Sequence, residues 1–315
     1  VGSAERLSPL ASVAATRAVL ERHGLATKHA LGQNFLVNDD VLRKIVALAE
    51  LDAGDDVLEV GPGIGTLTVA LLKRARRVVS VERDPDLPAV LAETLAAWPD
   101  RFALISKDAL DLTKGDVKSA LARRPVEGGA RSFPNKLVAN LPYAVAATVV
   151  LGFFERFDEI ESATVMVQKE VADRMAAAPG SKSYGAYTVK LSMRAEPAGR
   201  FAVSPGNFFP PPHVDSAVLR LNRRTPAGAD GAPLAPEVVR ATCTMADAAF
   251  ASRRKTIANS CKAYFAGRGE QGRAVAAHVE DLLESAGISP KRRGETLDVQ
   301  EFVALGEAYL TLRTR

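Results

Sequence analysis

Asp56-Val57-Leu58-Glu59-Val60-Gly61-Pro62-Gly63-Ile64-Gly65-Thr66 is the stretch that decides the fold. A short apolar run enters three glycines at alternate positions, and residues 66–75 beyond them read as a helix. Glycine is needed at such a turn because the backbone must bend sharply and lie close to a ligand. The alternation continues downstream. Residues 77–81 form a second strand ending at Glu82, and 88–98 a helix. Residues 102–105 form a third strand followed by Lys107-Asp108, 136–139 a fourth followed by Asn140-Leu141-Pro142-Tyr143, and 163–167 a fifth. Strands separated by helices predict a parallel, doubly wound α/β sheet. Upstream, residues 11–23 form an amphipathic helix stopped by Gly24, and a second helix runs from a cap at Asn38 to Ala49, with Val41, Leu42, Ile45, Val46 and Leu48 apolar.

In such sheets ligands bind beyond the carboxyl ends of the strands, which is where each quoted motif falls. Glu82, 17 residues after Gly65, is placed to accept both ribose hydroxyl hydrogens of an adenosine. A dinucleotide site needs Gly or Ala at the sixth position of its glycine fingerprint, and this chain has Thr66 there. Glu59 also sets a negative charge where a pyrophosphate would be repelled and a cation tolerated. On charge grounds the loop favours S-adenosylmethionine, a sulfonium without phosphate, over a nicotinamide dinucleotide. Asp108 is placed either to accept a hydrogen bond from the adenine amino group or simply to cap a helix.

The Asn140-Leu141-Pro142-Tyr143 turn suits a particular chemical problem. Adenine N6 is a poor nucleophile because its lone pair is delocalised into the ring. Accepting hydrogen bonds from both N6 hydrogens, at the Asn140 side-chain oxygen and the Leu141 carbonyl, favours a pyramidal nitrogen. Pro142 stiffens the turn, and Tyr143 offers a face for base stacking, worth roughly 1–3 kcal/mol. Catalysis then rests on positioning and electrostatics, with no strongly perturbed general base.

Composition narrows the field. With 47% hydrophobic and 25% charged residues, the 315-residue chain can build a substantial core, so it is neither disordered nor disulfide-dependent. Its two cysteines, Cys243 and Cys261, form no CxxC, and only four histidines are present, so no metal site is expected. The longest apolar run, residues 144–154, is too short for a bilayer. The opening Val1-Gly2-Ser3-Ala4-Glu5 has no signal-peptide core, and the cytoplasm is the expected compartment. The net charge is +4, and residues 239–295, with ten basic and six acidic side chains, hold that entire excess. A basic module beside a neutral one suits an anionic partner such as nucleic acid, or is merely a solvated helical surface.

Taken together, Gly32-Gln33-Asn34-Phe35-Leu36, the glycine loop, Asn140-Leu141-Pro142-Tyr143, residues 168–174 (Gln-Lys-Glu-Val-Ala-Asp-Arg) and residues 208–216 (Phe-Phe-Pro-Pro-Pro-His-Val-Asp-Ser) resemble the ribosomal RNA adenine N6,N6-dimethyltransferase family. The likeness is close over residues 28–221 and looser beyond. It implies an α/β, Rossmann-like class I S-adenosylmethionine-dependent methyltransferase domain with a small C-terminal helical domain. The expected partition is an N-terminal extension at 1–26, the methyltransferase domain at 27–222, a linker at 223–236 and a helical domain at 237–315. By resemblance, Asn34 and Leu36 help close over the cofactor, Gly61, Gly63, Glu82, Asp108 and Asn140 bind it, and Tyr143 and Phe208 sandwich the target adenine. Phe208, in a proline-stiffened loop, is read as an exposed stacking plate, with Phe209 as its competitor and a core anchor under the loop as the plainer alternative. Lys169, Arg174 and the Arg253-Arg254-Lys255 run either grip RNA phosphates or form a charged helix face or an interdomain salt-bridge set. The implied substrate is a pair of adjacent adenosines near the 3′ end of small-subunit rRNA in an immature particle, met by a monomer without metal or membrane. A large-subunit rRNA methyltransferase of the macrolide-resistance type, an assembly factor whose binding role dominates, and a nicotinamide-dependent dehydrogenase are the rivals.

Overall fold

A computed structural model describes residues 6–27, 33–124 and 131–313. The elements are α1 (Val13–Arg22), β1 (Phe35–Leu36), α2 (Asp39–Ala49), β2 (Asp56–Val60), α3 (Thr66–Leu72), β3 (Arg77–Glu82), α4 (Leu87–Thr94), β4 (Phe102–Ser106), α5 (Lys114–Ala122), β5 (Lys136–Asn140), α6 (Ala146–Arg156) and β6 (Ser162–Gln168). Then follow α7 (Lys169–Met175), α8 (Ala186–Ser192), β7 (Ala195–Val203), β8 (Phe208–Phe209), β9 (Ser216–Arg223), α9 (Pro236–Phe250), α10 (Ile257–Ala266), α11 (Gly269–Ala277), α12 (Val279–Ser285) and α13 (Val299–Arg313). Residues 125–130, inside the stretch 123–135 that reads from sequence as a surface loop, and Gly32 of the Gly-Gln-Asn-Phe-Leu motif, lie outside the described residues.

The chain divides into two units, residues 1–172 with 197–223, and residues 173–196 with 224–315. In the first, a seven-stranded sheet has the order β4-β3-β2-β5-β6-β9-β7. The five strands expected from sequence are parallel, and β9 joins β6 antiparallel, Val165 opposite Leu219. The chain winds outward from β2 through β3 to β4, then returns to lay β5 on the other side of β2. Ligand crevices open where strand order reverses in this way. The two strands flanking that point are those that end in the glycine loop and in Asn140. Every residue of β2 and β3 is buried, the condition of parallel strands covered on both faces.

Helix α1 is not an extension set apart from this unit. Its Val19 and Leu20 pack with Phe35, Ile64, Leu87 and Val90. The N–H groups of Leu7 and Ser8 donate to the Asp39 carboxylate at the start of α2.

Two boundaries differ from the sequence reading. Residues 173–196, expected in the first domain, belong to the second unit, where Tyr184 and Val189 join a core with Met245, Ile257 and Phe302. Within the helical domain expected at 237–315, residues 238–265 read from sequence as helical throughout, yet they form two helices broken at 251–256. There the buried Ser260 hydroxyl donates to Ala248 O at 2.8 Å and accepts from Ser252 N–H at 3.0 Å, and Thr256 caps α10. A hydroxyl that satisfies backbone groups competes with helix continuation, and hydrophobic periodicity carries no sign of it.

At the amino end of β2, the fully buried Asp56 carboxylate takes Arg77 Nη2 at 2.7 Å and Arg76 Nε at 2.8 Å, while the Asp56 N–H donates to Asn135 Oδ1. Removing one partner of a buried ion pair strands the other. Asp56→Ala should therefore lower unfolding free energy by about 3–5 kcal/mol, read as a lower urea midpoint. Because Asp56 lies at the opposite end of β2 from the glycine loop, cofactor affinity of the folded fraction should stay unchanged.

Candidate active site

The crevice at the switch point is a cavity of about 520 Å³ within the first unit, in the range of small-molecule sites. Its walls include Asn34, Leu36, Glu59, Gly61, Gly63, Glu82, Asp108, Asn140, Leu141, Pro142 and Tyr143, so the structure brings together every sequence-derived cofactor residue and the whole Asn-Leu-Pro-Tyr turn.

The glycine loop is built as its sequence demands. Gly61, Gly63 and Gly65 all have positive φ, at 68°, 59° and 90°. A Cβ on Gly63 would lie 3.0 Å from the Phe35 ring, and one on Gly65 3.1 Å from Thr94 Oγ1. Gly61 faces Pro142, whose Cδ would lie 3.7 Å from a Cβ there, so the two motifs touch across the crevice.

Two buried carboxylates sit under this loop. Glu59 accepts from the hydroxyls of Thr68 at 2.8 Å and Ser80 at 2.6 Å. Burial pushes its pKa up to about 7, against those two hydrogen bonds and with a small push from Glu82. The Glu82 pKa is also raised by burial, although backbone N–H groups of Asp84, Gly63 and Arg83 hold the carboxylate. Neither acid has an ion-pair partner among the described residues. The Glu59 charge read from sequence is thus conditional, because without a cation the carboxyl is half protonated near neutrality. Two desolvated acceptors without a cation fit a ligand that brings its own positive charge and donating hydroxyls, which S-adenosylmethionine does.

Asp108 plays its plainer role within the protein. Oδ1 accepts from Leu110 N–H, capping the short turn Ala109–Asp111, and Oδ2 meets Arg83 Nη1 at 3.2 Å, while the residue still lines the cavity.

At the opposite wall, Asn140 Nδ2 donates to the Asn34 carbonyl at 3.1 Å. Its Oδ1 is thereby turned away from Asn34, because an amide offers donors at one end and an acceptor at the other. Asn34 is held by the ribbon of β1 with β8, Phe35 opposite Phe209 and Leu36 opposite Phe208. The Tyr143 hydroxyl lies 2.6 Å from Ser216 Oγ.

Phe208 is not an exposed plate. It is 3% exposed and packs in a core cluster with Leu36, Val203 and Val218. Pairing with β1 turns its side chain inward, which makes it the anchor under the loop. Phe209 is the more exposed of the two and has the Arg17 guanidinium 4.9 Å from its ring centre, yet neither phenylalanine lines the cavity.

The basic residues divide between the units. Lys169 lies in the first and is exposed; Arg174, Arg253, Arg254 and Lys255 lie in the second. Arg253 braces its own unit, with Nε 3.0 Å from Glu295 Oε2 and Nη2 donating to Ser181 O at 3.2 Å. Arg254 and Lys255 are exposed and form no ion pair among the described residues. Sequence reasoning missed Asp84, which takes Gln33 Nε2 at 2.7 Å beside the cavity, and it missed Ser216. Ser216 stood inside a quoted motif, but no local pattern reveals a partner 73 residues away.

Within the described residues no three His, Cys, Asp or Glu side chains are grouped to hold a metal, and no helix is long and apolar enough to cross a membrane.

A Rossmann-like sheet with unpaired buried carboxylates beneath a glycine turn, and an asparagine–proline turn facing them, defines a class I methyltransferase that uses S-adenosylmethionine. The model of the ribosomal RNA adenine dimethylase family matches residues 24–305, and the chain belongs to that family. It is 42% identical over 307 residues to ribosomal RNA small subunit methyltransferase A of Shouchella clausii, covering 96% of this chain and 97% of that one. Against the protein of the same name from Streptomyces griseus it is 44% identical over 281 residues, 88% of this chain and 87% of that one. Among solved structures it resembles a dimethyladenosine transferase from Plasmodium falciparum, with TM-score 0.68 and 22% identity, over 89% of this chain and 98% of that one. It also resembles the 23S rRNA methyltransferase ErmE, with TM-score 0.59 and 28% identity, over 87% and 99%.

Cofactor binding should be coupled to a proton. A cation beside Glu59 favours its ionised form, so binding releases a proton below pH 7. Affinity should fall roughly tenfold from pH 8 to pH 6 by calorimetry, and Glu59→Gln should flatten that profile; a flat wild-type profile contradicts the coupling. Because the folded-state pKa lies above the usual 4.5, the cofactor-free protein loses stability as pH rises from about 4.5 to 7. Glu59→Gln should accordingly raise the cofactor-free Tm at pH 8 while weakening cofactor binding.

Proposed function

We propose that the protein transfers methyl groups from S-adenosylmethionine to N6 of two adjacent adenosines near the 3′ end of small-subunit rRNA, two on each, during assembly of the subunit. The observation that carries this reading is the polarity of the Asn140 amide. With its nitrogen committed to the Asn34 carbonyl, its oxygen is left to accept a hydrogen from an incoming amine. The Leu141 carbonyl supplies the second acceptor. The Leu141 N–H donates to Met166 O at 3.0 Å, which ties the preceding peptide, and with it the start of the turn, to the sheet.

S-adenosylmethionine supplies an electrophilic methyl on a sulfonium. Gly61 and Gly63 give it room, Glu82 accepts from its ribose, Asp108 accepts from its adenine amino group, and Asn34, Leu36 and Asn140 close the crevice over it. The target base must leave its stack to reach the crevice. Tyr143 receives it face to face. Phe209, rather than the buried Phe208, is the candidate for the second face, reached by movement of its loop. No general base is assigned, because the methylated nitrogen is acidic enough to lose its proton to water. Nothing in this chemistry calls for a metal ion.

Lys169, Arg174, Arg254 and Lys255 are proposed to meet RNA phosphates, and Arg253 to hold the turn that presents its two neighbours. The particle recognised is an immature small subunit, the enzyme acts as a monomer, and the compartment is the cytoplasm. The small-subunit reading is favoured over a large-subunit one because the relatives at 42% and 44% identity are named for the small subunit, whereas the 23S rRNA enzyme is 28% identical.

Labelled S-adenosylmethionine incubated with unmethylated small subunits, naked rRNA or large subunits separates the readings. Label in small-subunit RNA is expected; label in large-subunit RNA alone would sink this choice. Asn140→Ala should slow transfer by roughly 100-fold or more, as loss of an interaction made mainly in the transition state does, with cofactor affinity within a few-fold. Equal losses in both would remove the role given to that side chain.

A further inference from the structure

We infer that Ser216 is a positioning residue for methyl transfer, acting through Tyr143. The inference rests on the reading of Tyr143 as the plate that receives the target base. Tyr143 stands in the turn after β5, lines the cavity and is partly buried. Its hydroxyl is 2.6 Å from Ser216 Oγ, and Ser216 is fully buried. Ser216 is the first residue of β9, opposite Gln168, the last residue of β6. The seryl oxygen is therefore fixed by the backbone ladder of the same sheet that carries the turn. The chain leaves β8, pinned to β1, crosses the prolines and returns to the sheet at Ser216.

A tyrosine ring is attached at Cβ and swings about two torsions. A hydrogen bond at the far end of the ring removes that freedom and sets the tilt of its face. The bond also keeps the phenol oxygen away from the base, so the ring acts as a surface and not as an acid. Burial, the first cause of the raised Tyr143 pKa, keeps the phenol neutral at working pH. The turn is thus oriented at both ends by groups distant in sequence, Asn140 by the Asn34 carbonyl and Tyr143 by the Ser216 hydroxyl. A base seated on a tilted plate presents its N6 off the line of attack, and small misalignments cost rate rather than affinity.

The test is a double-mutant cycle of single-turnover methyl transfer on unmethylated small subunits, with cofactor affinity measured in parallel. Tyr143→Phe and Ser216→Ala should each slow transfer by roughly 3- to 10-fold, the worth of one hydrogen bond, with cofactor affinity within about twofold. The double variant should be no slower than the worse single, because both remove the same bond. Ser216→Thr, which keeps a hydroxyl on a strand, should restore most of the rate. Additive losses, or Ser216→Ala at the wild-type rate, overturn the inference. If Ser216→Ala fails to fold, Tyr143→Phe decides alone, since it keeps the ring and removes only the oxygen; the wild-type rate there also overturns it. Tyr143→Ala separates the two levels. If it transfers at the wild-type rate, the base-plate reading itself fails. If it is slow while Ser216→Ala is not, only the role of Ser216 fails.

Discussion

The direction of one hydrogen bond governs what the site can do. A main-chain carbonyl only accepts, so Asn140 must give Asn34 its nitrogen and keep its oxygen for the cavity. That bond joins residues 106 apart and exists only if Asn34 is held in place. The ribbon holds it. β1 pairs with β8, the Val37 N–H donates to Asn207 O at 2.9 Å, and Asn38 Nδ2 donates to Asn207 Oδ1 at 2.8 Å while Asn38 also caps α2. Phe208, driven into the core on the reverse side of this ribbon, secures it. The residue expected to touch substrate instead holds the support for Asn140, the residue proposed to do so.

Strand β2 shows how one segment divides structural from functional charge. At its amino end the Asp56 carboxylate is matched by two arginines, so its desolvation is compensated inside the protein. Three residues on, Glu59 is equally buried but has only two hydroxyls. Hydroxyl donors leave its desolvation largely uncompensated, and the acid rises towards neutrality. Such a group destabilises the cofactor-free fold above neutral pH and rewards a cation that arrives. The same logic extends to Glu82, the next acid along the crevice.

Most of the sheet was legible because parallel strands buried on both faces announce themselves as apolar runs between turns. The cofactor wall was legible because a glycine loop and the acid after the next strand act through local spacing. What escaped was non-local. The ribbon of β1 with β8 is two residues long on each side, too short for a periodic pattern, and it alone turns Phe208 inward. Tyr184 and Val189 have apolar character that either core could have used, and only packing against Met245 and Phe302 assigns them. The break at 251–256 depends on Ser260 bonding backwards to Ala248, a single hydroxyl within a helical pattern. Ser216 is the sharpest instance, since a serine opening a strand is unremarkable until its partner across the sheet is known.

That break in turn bears on the RNA contact proposed for the second unit. Had residues 238–265 formed one helix, Arg253, Arg254 and Lys255 would have pointed about 100° apart around it, dividing their charge among different directions. The short turn instead gives Arg253 partners that Arg254 and Lys255 lack among the described residues. Arg253 is committed inward to Glu295 and the Ser181 carbonyl, so it acts as the strut. Arg254 and Lys255 carry their charges on a turn braced from beneath, capped at its exit by Thr256 and crossed by Ser260. Phosphate contacts of this kind add affinity and salt dependence without sequence information. On the proposed function, the choice of adenosine therefore falls to the crevice and not to these cations. Two exposed cations on a braced turn suit that proposed division, because they would add phosphate contacts without competing to read sequence.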